Sequence, residues 1–321
     1  MKNSELNLLG LNALKFIAVL LVVDFGLGTI AERLYFSQTT GKQARIIASL
    51  NFNDSELLVL GSSHANRHYV PEVFENLLGF KSYNAGVQGQ RLLFTSTLQK
   101  MILDRSKPKI IIVNIDNNWM QESQEAYDRL SDFHPFYWEY RKILLPVLNL
   151  KSTFVDLRMS SKAYRMNSTL VHMAFYFVKP QEAHNGYLPS YKKMALSTEV
   201  DSDGLSSNTE KPAIDTNFVT AFDEIIETSS FNEVKLVFVV SPTFHVPDKT
   251  ESESMQIMVD RIKEKNLPFY DFRGDSAFMG KPNLFFDPAH LNHEGAVLFS
   301  GLVAAELEHL GLSAKAQAGA E

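Results

Sequence analysis

The sequence predicts an α/β domain built on a mainly parallel five-stranded sheet, and two observations carry that prediction. Short apolar runs alternate along the chain with stretches of helical periodicity, as successive βαβ units require. Two of the runs, Lys109–Ile115 (KIIIVNI) and Val234–Val240 (VKLVFVV), are rich in β-branched residues throughout, as strands covered on both faces should be.

Taken in order, Glu56–Leu60 (ELLVL) reads as the first strand, ending at Gly61-Ser62-Ser63. Lys81–Asn84 is a weaker second strand, followed by Ala85-Gly86 and Gly89. Leu92–Asp104 reads as a helix closed by Lys107-Pro108, and Lys109–Ile115 is the third strand. Val234–Val240 is the fourth, stopped by Ser241-Pro242. An amphipathic helix over Ser252–Lys265, a short strand over Pro268–Phe272 and a last helix over His293–Leu310 complete the pattern. The class implies flavodoxin-like strand order and a three-layer sandwich.

Composition narrows the function classes. The 321 residues carry a net charge of −6 and no cysteine. There is no basic run of the kind that binds nucleic acid, and disulfides, thiol nucleophiles and cysteine metal sites are excluded. No metal or other cofactor is expected.

Residues 1–36 differ from the rest. Leu11–Ile30 holds the apolar stretch Phe16–Val23, then Asp24, then Phe25–Ile30. Twenty helical residues cover about 30 Å, one hydrocarbon core, and Lys15 can snorkel to the headgroups. An acidic residue in mid-membrane costs about 2.5–3.5 kcal/mol on insertion scales, which the surrounding apolar residues can offset. The expectation is a membrane anchor with the α/β domain on the extracytoplasmic side. The competing readings are a cleaved signal peptide, with Thr29-Ile30-Ala31 as its site, and a buried amphipathic helix. A linker over 37–55 leads to the α/β domain at 56–312, and 313–321 reads as a disordered tail.

The third and fourth strands are too far apart for one crossover, so an insertion of about 120–231 is expected. It is helical, and Tyr127–Tyr191 is dense in aromatics that either form a cap over one end of the sheet or simply pack on it. Ser197–Asn217 is polar and reads as a loop.

Two segments could carry chemistry. In Leu57–Asn66 (LLVLGSSHAN), a serine follows glycine at the C-terminal tip of a strand, where an α/β sheet presents reactive groups. In Asp287-Pro288-Ala289-His290-Leu291-Asn292, an aspartate and a histidine three residues apart can meet on one side of a helix entrance. The carboxylate then orients one imidazole nitrogen and leaves the other as a base. Alone, either segment could be an ordinary turn or cap. His64 and His68, beside the serines, are expected to be packing or solvent-facing residues.

Together these segments resemble the SGNH hydrolases, or GDSL esterases, of the membrane-anchored envelope type. Gly61-Ser62-Ser63 stands where that family has its Gly-Asp-Ser block, making Ser63 the matching nucleophile and replacing the usual Asp with Ser62. Asn84-Ala85-Gly86-Val87-Gln88-Gly89 matches the second block, and Asp287 and His290 match the last. The third block is kept only partly in Asp116-Asn117-Asn118-Trp119. The resemblance implies a Ser63–His290–Asp287 triad and an oxyanion hole from Ser63, Gly89 and Asn118, with Asn117 the alternative to Asn118. It also implies acyl-enzyme chemistry on acyl esters, acetyl above all, of envelope carbohydrate. Hydrolysis and O-acyl transfer are both open, the latter with a membrane acyl-donor protein as partner. The alternative is an inactive SGNH-fold protein that binds glycan or acts as an envelope scaffold.

Overall fold

Five strands, β1 (Leu57–Leu60), β2 (Ser82–Asn84), β3 (Ile110–Asn114), β4 (Lys235–Val240) and β5 (Phe269–Asp271), form one sheet in the order β2-β1-β3-β4-β5. Every pairing is parallel. The strands fall on the predicted runs, and the order is the flavodoxin-like one. The computed structural model describes residues 3–51, 54–167, 175–176, 178–195, 213–245 and 252–315. Most of the polar stretch expected as a loop at 197–217, and of the tail at 313–321, lies outside them.

The helices are α1 (Asn3–Phe36), α2 (Gly41–Asn51), α3 (Ser63–His68), α4 (Pro71–Leu78), α5 (Leu92–Leu103), α6 (Gln124–Asp128), α7 (Arg141–Leu148), α8 (Val155–Ser160), α9 (Lys162–Asn167), α10 (Thr216–Phe231), α11 (Glu253–Glu264) and α12 (His293–His309). Where a linker was expected at 37–55, α2 stands instead. Side chains alternate across a strand, and both faces of this sheet are covered. Leu57, Val59, Ile110, Ile112, Val237 and Val239 pack with Phe74 and Leu78 of α4 and Phe299, Val303 and Leu307 of α12. On the opposite register, Phe238 meets Phe222 of α10 with ring centroids 5.2 Å apart. Helix starts follow local chemistry: Asp215, Ser252 and Asn292 accept hydrogen bonds from the first-turn N–H groups of α10, α11 and α12.

The chain divides into two compact units. The first is residues 1–44 with 130–180, and the second is 45–129 with 181–321. The insertion is therefore not one body. In the first unit α1 packs against α9, and the rings of Tyr35 and Phe36 meet Phe136 edge-on. Phe133, Phe136, Tyr137 and Tyr140 are buried there, so these aromatics are packing residues. The second unit holds the sheet and both chemistry-bearing segments.

Candidate active site

The C-terminal end of β1 delivers Gly61 at φ 144°, a region that L side chains avoid. A Cβ there would meet Asn114 O and Ala65 Cβ at 2.8 Å each. That turn sets Ser62 as the N-cap of α3 and Ser63 as its first residue. Asn84, at the end of β2, fixes α3 from below. Its amide donates to the carbonyls of Ala65 and Tyr69 at 2.7 and 2.8 Å, and its oxygen accepts from Gly86 N–H. The second sequence block is thus a staple that holds the helix bearing Ser63.

The loop before α12 brings in the other partners. Ser63 Oγ lies 2.9 Å from His290 Nε2. His290 Nδ1 lies 2.9 Å from Asp287 Oδ2 and 3.0 Å from Oδ1. Asp287 is ionised, and a carboxylate only accepts, so Nδ1 carries the proton and Nε2 presents its lone pair to the serine hydroxyl. The Asp287 carboxylate also accepts the N–H groups of Ala289 and His290. Burial opposes its charge, but those bonds and His290 hold its pKa below the ordinary carboxylate value. Burial pushes the His290 pKa down; Asp287 works against that, and the neighbouring His64 charge adds to it. The imidazole is therefore neutral near pH 7, as a base must be.

A second acid–imidazole pair adjoins the first, and sequence reasoning missed it. His64 Nδ1 lies 2.5 Å from Asp116 Oδ1, and His64 Nε2 lies 3.1 Å from Ala289 O. The other oxygen of Asp116 accepts the Ser62 hydroxyl. Both partners of His64 are acceptors, so both ring nitrogens donate and the ring is an imidazolium. Burial acts against that charge, but Asp116 outweighs it and raises the pKa. The available signal was a carboxylate two residues past the end of β3, together with a histidine directly after the serine. Their side chains meet across 52 positions. His68 is fully buried, as a packing residue should be. Its Nε2 accepts the Leu291 N–H at 3.0 Å, and burial holds it neutral.

The adjacent serines are thus separated by geometry: Ser63 faces the base, and Ser62 faces Asp116. Gly89 is exposed at φ 76° under the Arg129 guanidinium. Asn118 is exposed as well, and its carbonyl accepts from Arg91 at 3.2 Å. Among the described residues no hydrogen bond joins the Asn118 amide to Ser63 or His290. The Asn117 amide oxygen is occupied by the Ser252 hydroxyl at 2.8 Å. Three imidazoles, those of His64, His68 and His290, cluster with centroids 5.0–6.1 Å apart. Both nitrogens of His64 and of His290, and Nε2 of His68, are directed at the partners named above, whereas His68 Nδ1 is buried with no hydrogen-bond partner among the described residues. Among the described residues no group of three or more His, Asp or Glu is placed to hold a metal ion.

Residues 181–194, from the insertion, line this loop. Leu188 N–H donates to Asn66 O, His293 N–H to Ser190 O and Met194 N–H to Phe285 O. Tyr187 Oη lies 3.1 Å from His293 Nδ1, and the exposed Tyr191 ring sits 5.2 Å from the His293 ring.

No protein-family model and no curated protein matches the chain. Solved structures give fold-level likenesses. A protein assigned to the G-D-S-L lipolytic family from Desulfitobacterium hafniense is 10% identical with a TM-score of 0.40, over 78% of this chain and 98% of that one. A protein assigned as an acylhydrolase from Bacteroides fragilis is 13% identical with a TM-score of 0.36, over 80% and 89%. An acetyl xylan esterase is 10% identical with a TM-score of 0.38, over 79% and 98%.

Proposed function

We propose that this protein is a membrane-anchored serine enzyme that handles acyl esters, acetyl above all, of cell-envelope carbohydrate on the extracytoplasmic side. The observation that carries the reading is the continuous relay from Ser63 through His290 to Asp287, with each link near 2.9 Å. His290 Nε2 takes the Ser63 proton as Oγ bonds to the ester carbonyl carbon. The imidazolium then gives that proton to the departing alcohol oxygen as the ester C–O bond breaks, leaving an acyl-serine. An acceptor hydroxyl, from water or from a sugar, loses its proton to His290 as its oxygen bonds to the acyl carbon, and His290 passes that proton to Ser63 Oγ as the acyl C–Oγ bond breaks. The first N–H groups of a helix have no intrahelical acceptor, which leaves the Ser63 N–H for the developing oxyanion. Gly89 N–H and the Asn118 amide are the other donors, each worth about 2.7–4 kcal/mol where such donors are lost.

Two observations favour carbohydrate. Tyr191 offers an exposed aromatic face beside the loop that carries His290, and aromatic faces suit sugar rings. The apolar α1 favours attachment to a membrane, from which an envelope polymer is within reach.

A fluorophosphonate probe, followed by peptide mass spectrometry, tests the chemistry. The expected result is a single adduct on Ser63 in the wild type and none in Ser63→Ala. Turnover of p-nitrophenyl acetate, with and without a sugar acceptor, then separates hydrolysis from transfer. A wild-type chain with neither adduct nor turnover across several acyl chain lengths is a glycan-binding or scaffold protein, not an enzyme.

A further inference from the structure

Helix α1 changes character at Asp24. From Asn7 to Val23 every residue is exposed. From Asp24 onward one side is covered by α9. The Asp24 carboxylate accepts the Ser161 hydroxyl at 2.5 Å and the N–H groups of Lys162 and Ala163 at 3.0 and 3.1 Å. Gly28 is buried against Lys162. Lys162 Nζ reaches Glu32 at 2.7 Å and lies over the Phe25 ring. The acidic residue that burdens a membrane span is thus fully hydrogen-bonded to the start of α9. Cleavage after Ala31 would remove the surface on which α9 rests, which argues that α1 is retained.

We infer that the described part of residues 130–180, with α7, α8 and α9 and the turns between them, forms a collar lying in the headgroup layer of an anionic bilayer, beside α1 where it leaves the membrane. The inference rests on reading α1 as a membrane span. Length is the first argument. Leu8–Val23 covers only about 24 Å of helix axis, short of the roughly 30 Å hydrocarbon core. The turns after Val23 must therefore enter the bilayer, and they carry the start of α9 with them. Exposure is the second. Helix α8, just before α9, displays Leu157 at 71% exposure and its N-cap Phe154 at 77%, the latter in the left-handed region at φ 54°. A bulky apolar residue kept in that conformation and in the open is strained, and strain of this kind marks functional positions. Trp138, 47% exposed, donates to Met159 O on the same short helix, and tryptophan favours the membrane–water interface. Charge is the third. Residues 130–180 hold seven Lys/Arg against three Asp/Glu, whereas the whole chain has 31 against 37. A basic segment inside an acidic protein complements anionic headgroups.

The chain has no cysteine, so single-cysteine variants report cleanly. Val19→Cys, Leu157→Cys and Phe231→Cys all fall at exposed positions. Each is made in the full chain, labelled with NBD and reconstituted into vesicles of phosphatidylcholine and phosphatidylglycerol containing spin-labelled phospholipid. The expected result is loss of NBD emission at 19 and at 157, with none at 231. Quenching at 19 but not at 157 overturns the collar and leaves the anchor standing. No quenching at 19 removes the anchor, and the collar with it. Equal quenching at 157 in vesicles of phosphatidylcholine alone overturns the preference for an anionic surface. Serine-probe labelling is read separately and does not depend on any of these outcomes.

Discussion

His64 grips the loop that presents the base, because its Nε2 donates to Ala289 O, one residue before His290, while its Nδ1 holds Asp116. Its positive charge stands 5.2 Å, ring to ring, from His290. Among the described residues, Asp116, Asp287, Arg67 and His68 are the charged and titratable groups that act with the pair. A protonated His290 cannot take the Ser63 proton, so activity should fall as pH drops through the His290 pKa, which burial holds below that of a free imidazole. His64→Gln keeps a hydrogen-bond donor and removes the charge that resists protonation of His290. The acid limb of kcat/KM should therefore move to higher pH; an unchanged limb would refute the electrostatic role. Ser63→Ala and His290→Ala should each abolish turnover with the fold intact by circular dichroism, since members of such a relay act as a unit. Asp287→Asn should be severe but milder. Ser62→Ala leaves the relay in place and removes one bond to the half-buried Asp116 carboxylate. It should retain turnover and cost about 1–3 kcal/mol in urea unfolding. Ser63, Asp287 and His290 were legible because each sits in a short local pattern. The His64–Asp116 pair was not, since it exists only once β1 and β3 lie side by side.

At the scale of elements, β1, β3 and β4 announced themselves because a parallel strand buried on both faces is apolar along most of its length, whereas β2 is buried but largely polar and signalled itself only weakly. Ile110–Val113 and Leu236–Val240 are buried throughout. The insertion could not be read that way. Which of its parts joins α1 depends on contacts such as Ser161 with Asp24, 137 positions apart, and no periodicity records them. Gly86 tests how tightly β2 and α3 are fitted. A Cβ there would lie 2.5 Å from Asn66 N and 2.7 Å from Ala65 Cβ. Gly86→Ala must push α3 away from the end of β2 and Ser63 away from His290. The expected cost is about 1–3 kcal/mol of overpacking, with kcat falling further than KM changes, read from denaturant curves and steady-state kinetics. Tyr191→Ala should behave in the opposite way on a carbohydrate ester, raising KM with kcat nearly unchanged, as loss of uniform binding does. If it lowers only thermal stability, Tyr191 is a packing residue.

At the scale of the molecule, the division into two units decides what truncation does. Removing residues 1–36 takes away Asp24 from the start of α9, Glu32 from Lys162, and Tyr35 and Phe36 from Phe136. What remains of the first unit loses its main packing partner, and Leu144, Val155 and Met159 are left to a small core. Small cores bury too little surface to offset chain entropy. The second unit keeps all five strands and the Ser63–His290–Asp287 relay. A chain beginning at residue 37 should therefore still unfold cooperatively and still take a fluorophosphonate on Ser63. Limited proteolysis should now cut first within 130–180, a region that the collar reading expects to be protected in the full chain in vesicles. The pattern of failure is informative. Loss of probe labelling together with loss of cooperativity would mean that the sheet-bearing unit depends on α1 for its own fold. Continued protection of 130–180 would mean that this segment holds together without the helix, and that the Asp24 contacts serve the membrane span more than they serve the collar.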